Sequence, residues 1–353
     1  MINILVVEDS AVVREFLISI FGSDPDIRVI ATAANGEEAL EVLRGYRPDV
    51  ITMDVHMPKL NGLEATRLIM ETQPTPIVIV SGSTDPEVAT TFDAIDAGAV
   101  AVLRRPAGIG HPDHEATARD MIQVVKLMSE VKVIRRWSSM RRGTPTPLPA
   151  SAPLSRVAQT RIVAIGASTG GPPALETILA ALPKHFPAPI LIVQHMAAGF
   201  TEGFVQWLKN SSNLSVRVAR QCEMPLPGHV YVAPDEYQMK VEKARGIVLT
   251  RDEPEHGIRP SVSYLFRSVA DTYGRDAVAG LLTGMGRDGA DELRVLKDKG
   301  AITFVQDKDS SVVHGMAGEA MRLDAATMVL PLEKIAGALT NLVAERGEMK
   351  FGS

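Results

Sequence analysis

Cysteine is nearly absent: Cys222 stands alone in 353 residues. One thiol excludes an internal disulfide and a cysteine-rich zinc site, and it fits a reducing compartment. An excess of positive charge is missing too. Against 42 Asp and Glu there are 37 Lys and Arg, a formal net charge of −5, which is the wrong sign for a general nucleic-acid binder. No apolar run approaches membrane-spanning length. No secretory leader is expected, because Met1-Ile2-Asn3-Ile4-Leu5-Val6-Val7-Glu8-Asp9 turns acidic too early. Together these absences predict a cytoplasmic protein without a nucleic-acid partner and without membrane insertion. The length leaves room for two domains.

Short apolar runs and amphipathic stretches alternate from the N-terminus. Strands are predicted at Ile4–Val7, Arg28–Ala31, Val50–Met53, Ile77–Val80 and Val100–Leu103, with a last helix from about His114 to Met128. Five β/α units at this spacing predict a doubly wound, five-stranded parallel sheet over residues 1–128. Ligands of such sheets sit beyond the carboxyl ends of the strands. Glu8 and Asp9 follow the first strand there, Asp54 follows the third, Ser81 ends the fourth and Arg105 follows the fifth. Carboxylates gathered at one edge repel one another without a cation, and hard oxygen ligands with room for water and phosphate suit Mg²⁺. An aspartate beside that ion can attack a phosphorylated donor and become an acyl phosphate. Taken singly, each acid reads as a solvated or helix-capping group.

Residues 129–160 change character. Arg135-Arg136, Arg141-Arg142 and the run Gly143-Thr144-Pro145-Thr146-Pro147-Leu148-Pro149 predict a flexible, basic, proline-rich linker. A second α/β pattern occupies 161–350, with strands at Ile162–Ile165, Ile190–Val193, Val216–Val218, Val230–Val232, Gln238–Val241, Ile247–Thr250, Ala277–Leu282 and Ala301–Val305. The short strands between Val216 and Thr250 read as hairpins, so a mainly parallel sheet with an antiparallel portion is expected.

Gly166-Ala167-Ser168-Thr169-Gly170-Gly171 follows the first of these strands and runs into Pro172-Pro173, residues suited to a first helical turn. A strand, a glycine-rich turn and a helix lift a small side chain above the strand end and aim backbone N–H groups beside it. Such turns also bind phosphates and dinucleotides, so the partners decide. His195 ends the strand Ile190–Val193 plus Gln194, one β/α unit later. Asp288 lies in the turn Thr283-Gly284-Met285-Gly286-Arg287-Asp288-Gly289-Ala290 after a third strand. A serine hydroxyl needs a base, and the base needs an orienting group. Ser168, His195 and Asp288 are expected at one edge of one sheet. The other seven histidines have no comparable setting and read as surface or structural.

Two resemblances add to this reading. Glu8, Asp9, Asp54, Met57-Pro58, Gly62, Ser81 and Arg105-Pro106 are in register with the receiver domain of two-component response regulators, which residues 1–128 resemble. That likeness implies a flavodoxin-like fold, Asp54 as phosphoacceptor, Glu8, Asp9 and Asp54 as Mg²⁺ ligands, and Ser81 and Arg105 at the switch. Arg105 departs from the usual lysine, and Val102 stands where many receivers carry an aromatic residue.

Over nearly the whole chain, Gly166–Gly171, Gln194-His195-Met196, Val232-Ala233-Pro234, Arg259-Pro260-Ser261-Val262 and Thr283–Ala290 resemble the chemotaxis protein-glutamate methylesterase family, CheB. The family implies hydrolysis of glutamyl methyl esters, and deamidation of glutamines, on methyl-accepting chemotaxis receptors. It also implies a chemotaxis sensor histidine kinase as phosphodonor and a receiver that covers the site until phosphorylated. Ser168 is then the nucleophile, His195 the base and Asp288 its orienter, with backbone N–H groups near Thr169 and Met285 for the oxyanion. No cofactor is implied for the esterase chemistry, and a monomer is expected. Arg287, Asp235-Glu236-Tyr237-Gln238, Ser263, Lys308 and Ala317 depart from the family's usual residues. A catalytically weak, phosphorylation-controlled interaction module is the alternative. A nucleotide-binding loop is a weaker rival, since the glycine spacing is not Gly-x-Gly-x-x-Gly.

Overall fold

A computed structural model describes residues 1–82, 92–131 and 161–344. The expected linker falls almost wholly outside the described residues, as does the end of the second segment beyond 344. Strands β1 (Ile2–Val7), β2 (Ile27–Ala33), β3 (Val50–Met53), β4 (Ile77–Ser81) and β5 (Ala101–Arg104) pair in the order β2-β1-β3-β4-β5, all parallel. β3 and β4 are buried at every position, as strands covered by helices on both faces must be. The helices Ala11–Gly22, Gly36–Gly45 and Gly62–Thr72 begin where side chains can accept their free N–H groups: Ser10 from Val13, Asn35 from Glu38 and Asn61 from Glu64. The strand order reverses between β1 and β3, where Glu8, Asp9 and Asp54 emerge.

In the second half, β6 (Ile162–Ala167), β7 (Ile190–Gln194), β8 (Ser215–Val218), β9 (His229–Val232), β12 (Ala277–Leu281), β13 (Ile302–Gln306) and β14 (Met328–Leu330) form one sheet, ordered β14-β13-β12-β6-β7-β9-β8. β10 (Gln238–Glu242) and β11 (Gly246–Thr250) make a separate antiparallel pair. The expected hairpins are therefore half right. β8 and β9 run parallel, because the ten residues between them travel back along the sheet instead of turning tightly. β14 and the helix Met316–Arg322 were not anticipated. β14 has only three residues and is partly exposed, so it carries no periodic signal.

The chain enters this sheet at its centre. β7 lies on one side of β6 and β12 on the other. The crevice at such a reversal is where open α/β sheets hold ligands.

Candidate active site

Ser168 comes immediately after β6, all six residues of which are buried. The Gly171 N–H donates to Ser168 O at 2.7 Å, closing a tight turn. Gly170 has a φ of 77°, a left-handed conformation open to glycine at little cost. The helix Gly171–Ala181 then begins with Pro172 and Pro173 in its first turn. The turn is clamped from two sides. Gln194 Nε2 donates to Ser168 O at 2.9 Å and to His195 O at 2.8 Å. Thr283 Oγ1 donates to Thr169 O at 2.9 Å and accepts from Val313 N at 2.9 Å. Neither the Thr169 nor the Met285 N–H donates to any acceptor among the described residues. Gly284 passes so close that a Cβ there would lie 2.7 Å from Ser168 Cβ.

His195 follows β7 with its side chain 10% exposed, and Asp288 is 2% exposed. Their contact, Nε2 to Oδ2, is 2.9 Å. Burial pushes the Asp288 carboxyl up. The hydrogen bond and charge of His195 and the donors of Ser263 overcome that and hold it well below the usual carboxylate range. With Asp288 ionised, Nε2 carries the proton and Nδ1 is left with the lone pair. No hydrogen bond joins Ser168 Oγ to His195 here, and catalytic contacts of this kind commonly close only around substrate. The order β12-β6-β7 thus brings Asp288, Ser168 and His195 to three adjacent strand ends.

The changed walls have visible partners. Arg287 is exposed and pairs with Asp291 one helical turn on, at 2.6 Å. Asp235 accepts from Gly199 N and Thr201 Oγ1, holding the loop after His195. Gln238 Oε1 accepts from Ser261 N at 2.8 Å. His314, set aside as surface or structural, bridges by its backbone to Gly284, beside Met285. Sequence reasoning missed Gln194 and Ser261 as parts of the site. Both stand in the motifs that carry the family resemblance, Gln194-His195-Met196 and Arg259-Pro260-Ser261-Val262, but nothing in those motifs gave either side chain a role.

In the first half, carboxylate oxygens of Glu8, Asp9 and Asp54 lie within 4.8 Å of one another. Arg105 Nη2 is 3.2 Å from Glu8 Oε2 and 3.9 Å from Asp54 Oδ2. Burial, then Asp54, raises Glu8 to about 7 against the opposing pull of Arg105. Burial also raises Asp54, opposed by Arg105 and the Val55 N–H. Ser81 Oγ and Arg105 Nε are buried and have no hydrogen-bond partner among the described residues.

The two halves meet beside the crevice. Phe92 stacks on Trp207 with centroids 5.7 Å apart and contacts Phe200 and Phe204. Trp207 Nε1 donates to Asp96 Oδ2 at 3.1 Å. Val102 packs against the same cluster. Val312 and Val313 pack on the core of the first half around Met121 and Val125. Val312 also lies over the serine turn, where a Cβ on Gly170 would approach its Cβ to 2.5 Å.

Both halves of the chain resemble known proteins. The family model described as CheB methylesterase matches residues 163–339, and the response regulator receiver domain matches 4–111. A protein-glutamate methylesterase/protein-glutamine glutaminase of Nitrosospira multiformis is 79% identical over the full length of both chains. A similarly named protein of Geobacter metallireducens is 55% identical over 98% of this chain and all of its own. The crystal structure of the Thermotoga maritima CheB methylesterase catalytic domain is 37% identical, covering 53% of this chain and all of that one, with a TM-score of 0.51. With a response regulator receiver ahead of its esterase half, the chain belongs to the CheB methylesterase family.

Proposed function

We propose that this protein hydrolyses γ-methyl esters of glutamyl residues on methyl-accepting chemotaxis receptors, and deamidates receptor glutamines, with Ser168, His195 and Asp288 as its triad. One observation carries the reading. An ionised, buried Asp288 holds His195 by Nε2 beside a serine on a strand-to-helix turn. In the first step Ser168 Oγ attacks the ester carbonyl carbon while His195 Nδ1 takes the hydroxyl proton. The oxyanion is received by the Thr169 and Met285 N–H groups, preorganised donors of the kind that supply a large share of such catalysis. Collapse of the tetrahedral species breaks the bond to the leaving group, which departs as methanol, or ammonia from glutamine, with the proton from Nδ1. Water, deprotonated by the same nitrogen, then attacks the acyl-serine and releases glutamate. These groups supply nucleophile, base and oxyanion donors, so the esterase chemistry asks for no cofactor.

The first half is the switch. Three carboxylates within 4.8 Å of one another, with the Ser81 hydroxyl and Arg105 Nε buried and without partners among the described residues, fit a divalent cation and a phosphoryl group. Glu8, Asp9 and Asp54 would hold Mg²⁺, which when bound neutralises carboxylate and phosphoryl oxygens. Asp54 accepts the phosphoryl group from a chemotaxis sensor histidine kinase, and Ser81 and Arg105 bond to it. The contacts of Phe92 and Val312 keep the esterase covered until then, and phosphorylation shifts the population toward the open arrangement. The protein works as a monomer in the cytoplasm.

A catalytically weak interaction module is the second reading, favoured by the unformed Ser168–His195 hydrogen bond and by Arg105 in the switch. Labelling with a fluorophosphonate, followed by peptide mass spectrometry, separates the two. Covalent modification of Ser168, abolished in Ser168→Ala and slowed in His195→Gln, is expected. An unmodified Ser168 in folded, phosphodonor-treated protein contradicts the esterase.

A further inference from the structure

Asp288 is held by more than His195. Its Oδ1 accepts from Ser261 Oγ at 2.8 Å and from Ser263 N at 3.0 Å, and its Oδ2 accepts from Val262 N at 2.6 Å as well as from His195. Ser261 is fully buried and is the N-cap of the helix Val262–Thr272. The N–H groups donating to Asp288 therefore come from that helix's first turn, where free donors and the helix dipole both favour an anion. Ser261 is fixed in turn, because its own N–H donates to Gln238 Oε1. Ser263 Oγ accepts from Gly289 N at 2.9 Å, pinning the residue after Asp288.

We infer that Ser261 is a positioning residue of this esterase. It donates its hydroxyl hydrogen to Asp288, fixes the rotation of that carboxylate, and through it selects the imidazole tautomer with the proton on Nε2. The inference rests on the esterase reading above and adds a fourth side chain to it. The geometry dictates the direction of donation. An ionised carboxylate only accepts, so the Ser261 hydroxyl hydrogen points at Asp288. Its oxygen lone pairs remain for the Tyr264 N–H, 3.4 Å away. One hydroxyl thus caps the helix and anchors the triad's acid.

The two roles separate by substitution. Glycine is nearly as good an N-cap as serine, so Ser261→Gly keeps the helix and removes the donor. Threonine keeps both. In the full chain, kcat for ester hydrolysis is expected to fall about tenfold in Ser261→Gly and Ser261→Ala with KM little changed, and to recover in Ser261→Thr. The second readout needs no turnover. The downfield proton resonance of His195 Nε2–H, assigned by its loss in His195→Gln, is expected to shift or vanish by exchange in the glycine variant and to persist in the threonine variant. A folded Ser261→Gly with wild-type kcat and an unmoved resonance overturns the inference. Wild-type protein that lacks esterase activity overturns the esterase reading instead, and the resonance still decides whether Ser261 holds Asp288.

Discussion

At the scale of single residues, the site depends on where charge is allowed to rest. Asp288 is buried, and a buried carboxylate stays ionised only if donors replace its lost water. Four do so here. Its folded pKa lies below the unfolded one, so its stabilising contribution is complete above the ordinary value of about 4 and is lost as pH falls through the depressed folded value. Asp288→Asn is therefore expected to destabilise the esterase half by on the order of 2 kcal/mol near neutrality, the gap narrowing below about pH 4. Denaturant unfolding at a series of pH values measures this; a gap that widens toward acid contradicts it. The same variant is expected to lose on the order of 10⁴ in kcat, the consequence of a wrong imidazole tautomer.

At the scale of elements, the decisive parts are strand ends and the turns that leave them. Gly171 starts its helix against Gln194, and a Cβ there would lie 2.0 Å from Gln194 Oε1. Gly171→Ala must push aside the carboxamide that ties Ser168 O to His195 O. Because a misplacement of about 1 Å can cost on the order of 10²-fold, a comparable loss of kcat/KM is expected, with the far-ultraviolet circular dichroism unchanged. Full activity in that variant contradicts the clamp assigned to Gln194. Most of this level is legible in the sequence. The runs ending at Val7, Met53, Ile165 and Val193 announce buried parallel strands by composition, and Glu8, Asp54, Ser168 and His195 sit where their ends must be. The placement of β8 beside β9 is not legible, because a four-residue strand reads alike in a hairpin and in a crossover. The service of Ser261 to Asp288 joins residues 27 apart through a sheet order that one sequence does not spell out. Gln194 looks like an ordinary last strand residue until its carboxamide is seen on two carbonyls.

At the scale of the whole molecule, the two halves share an aromatic contact around Phe92 and a valine pair, of which Val312 lies over the serine turn. Phe92 is 2% exposed between Phe200, Phe204 and Trp207, and Phe200 belongs to the loop that leaves His195. Truncating a buried phenylalanine costs about 3 kcal/mol or more, and here that cost falls on the contact between the two halves. Phe92→Ala is expected to raise ester hydrolysis by the unphosphorylated protein roughly tenfold and to shrink the response to a phosphodonor. An unchanged basal rate would mean that the Phe92 contact does not restrain the esterase.

The most direct measurement is methanol release from a methylated receptor fragment by wild type, Ser168→Ala and Asp54→Asn, each with and without acetyl phosphate and Mg²⁺. Release by wild type that rises with the phosphodonor is expected, with none from Ser168→Ala and a low, unresponsive rate from Asp54→Asn. Release that survives Ser168→Ala, or a phosphodonor response that survives Asp54→Asn, contradicts the account of a serine esterase governed by its receiver.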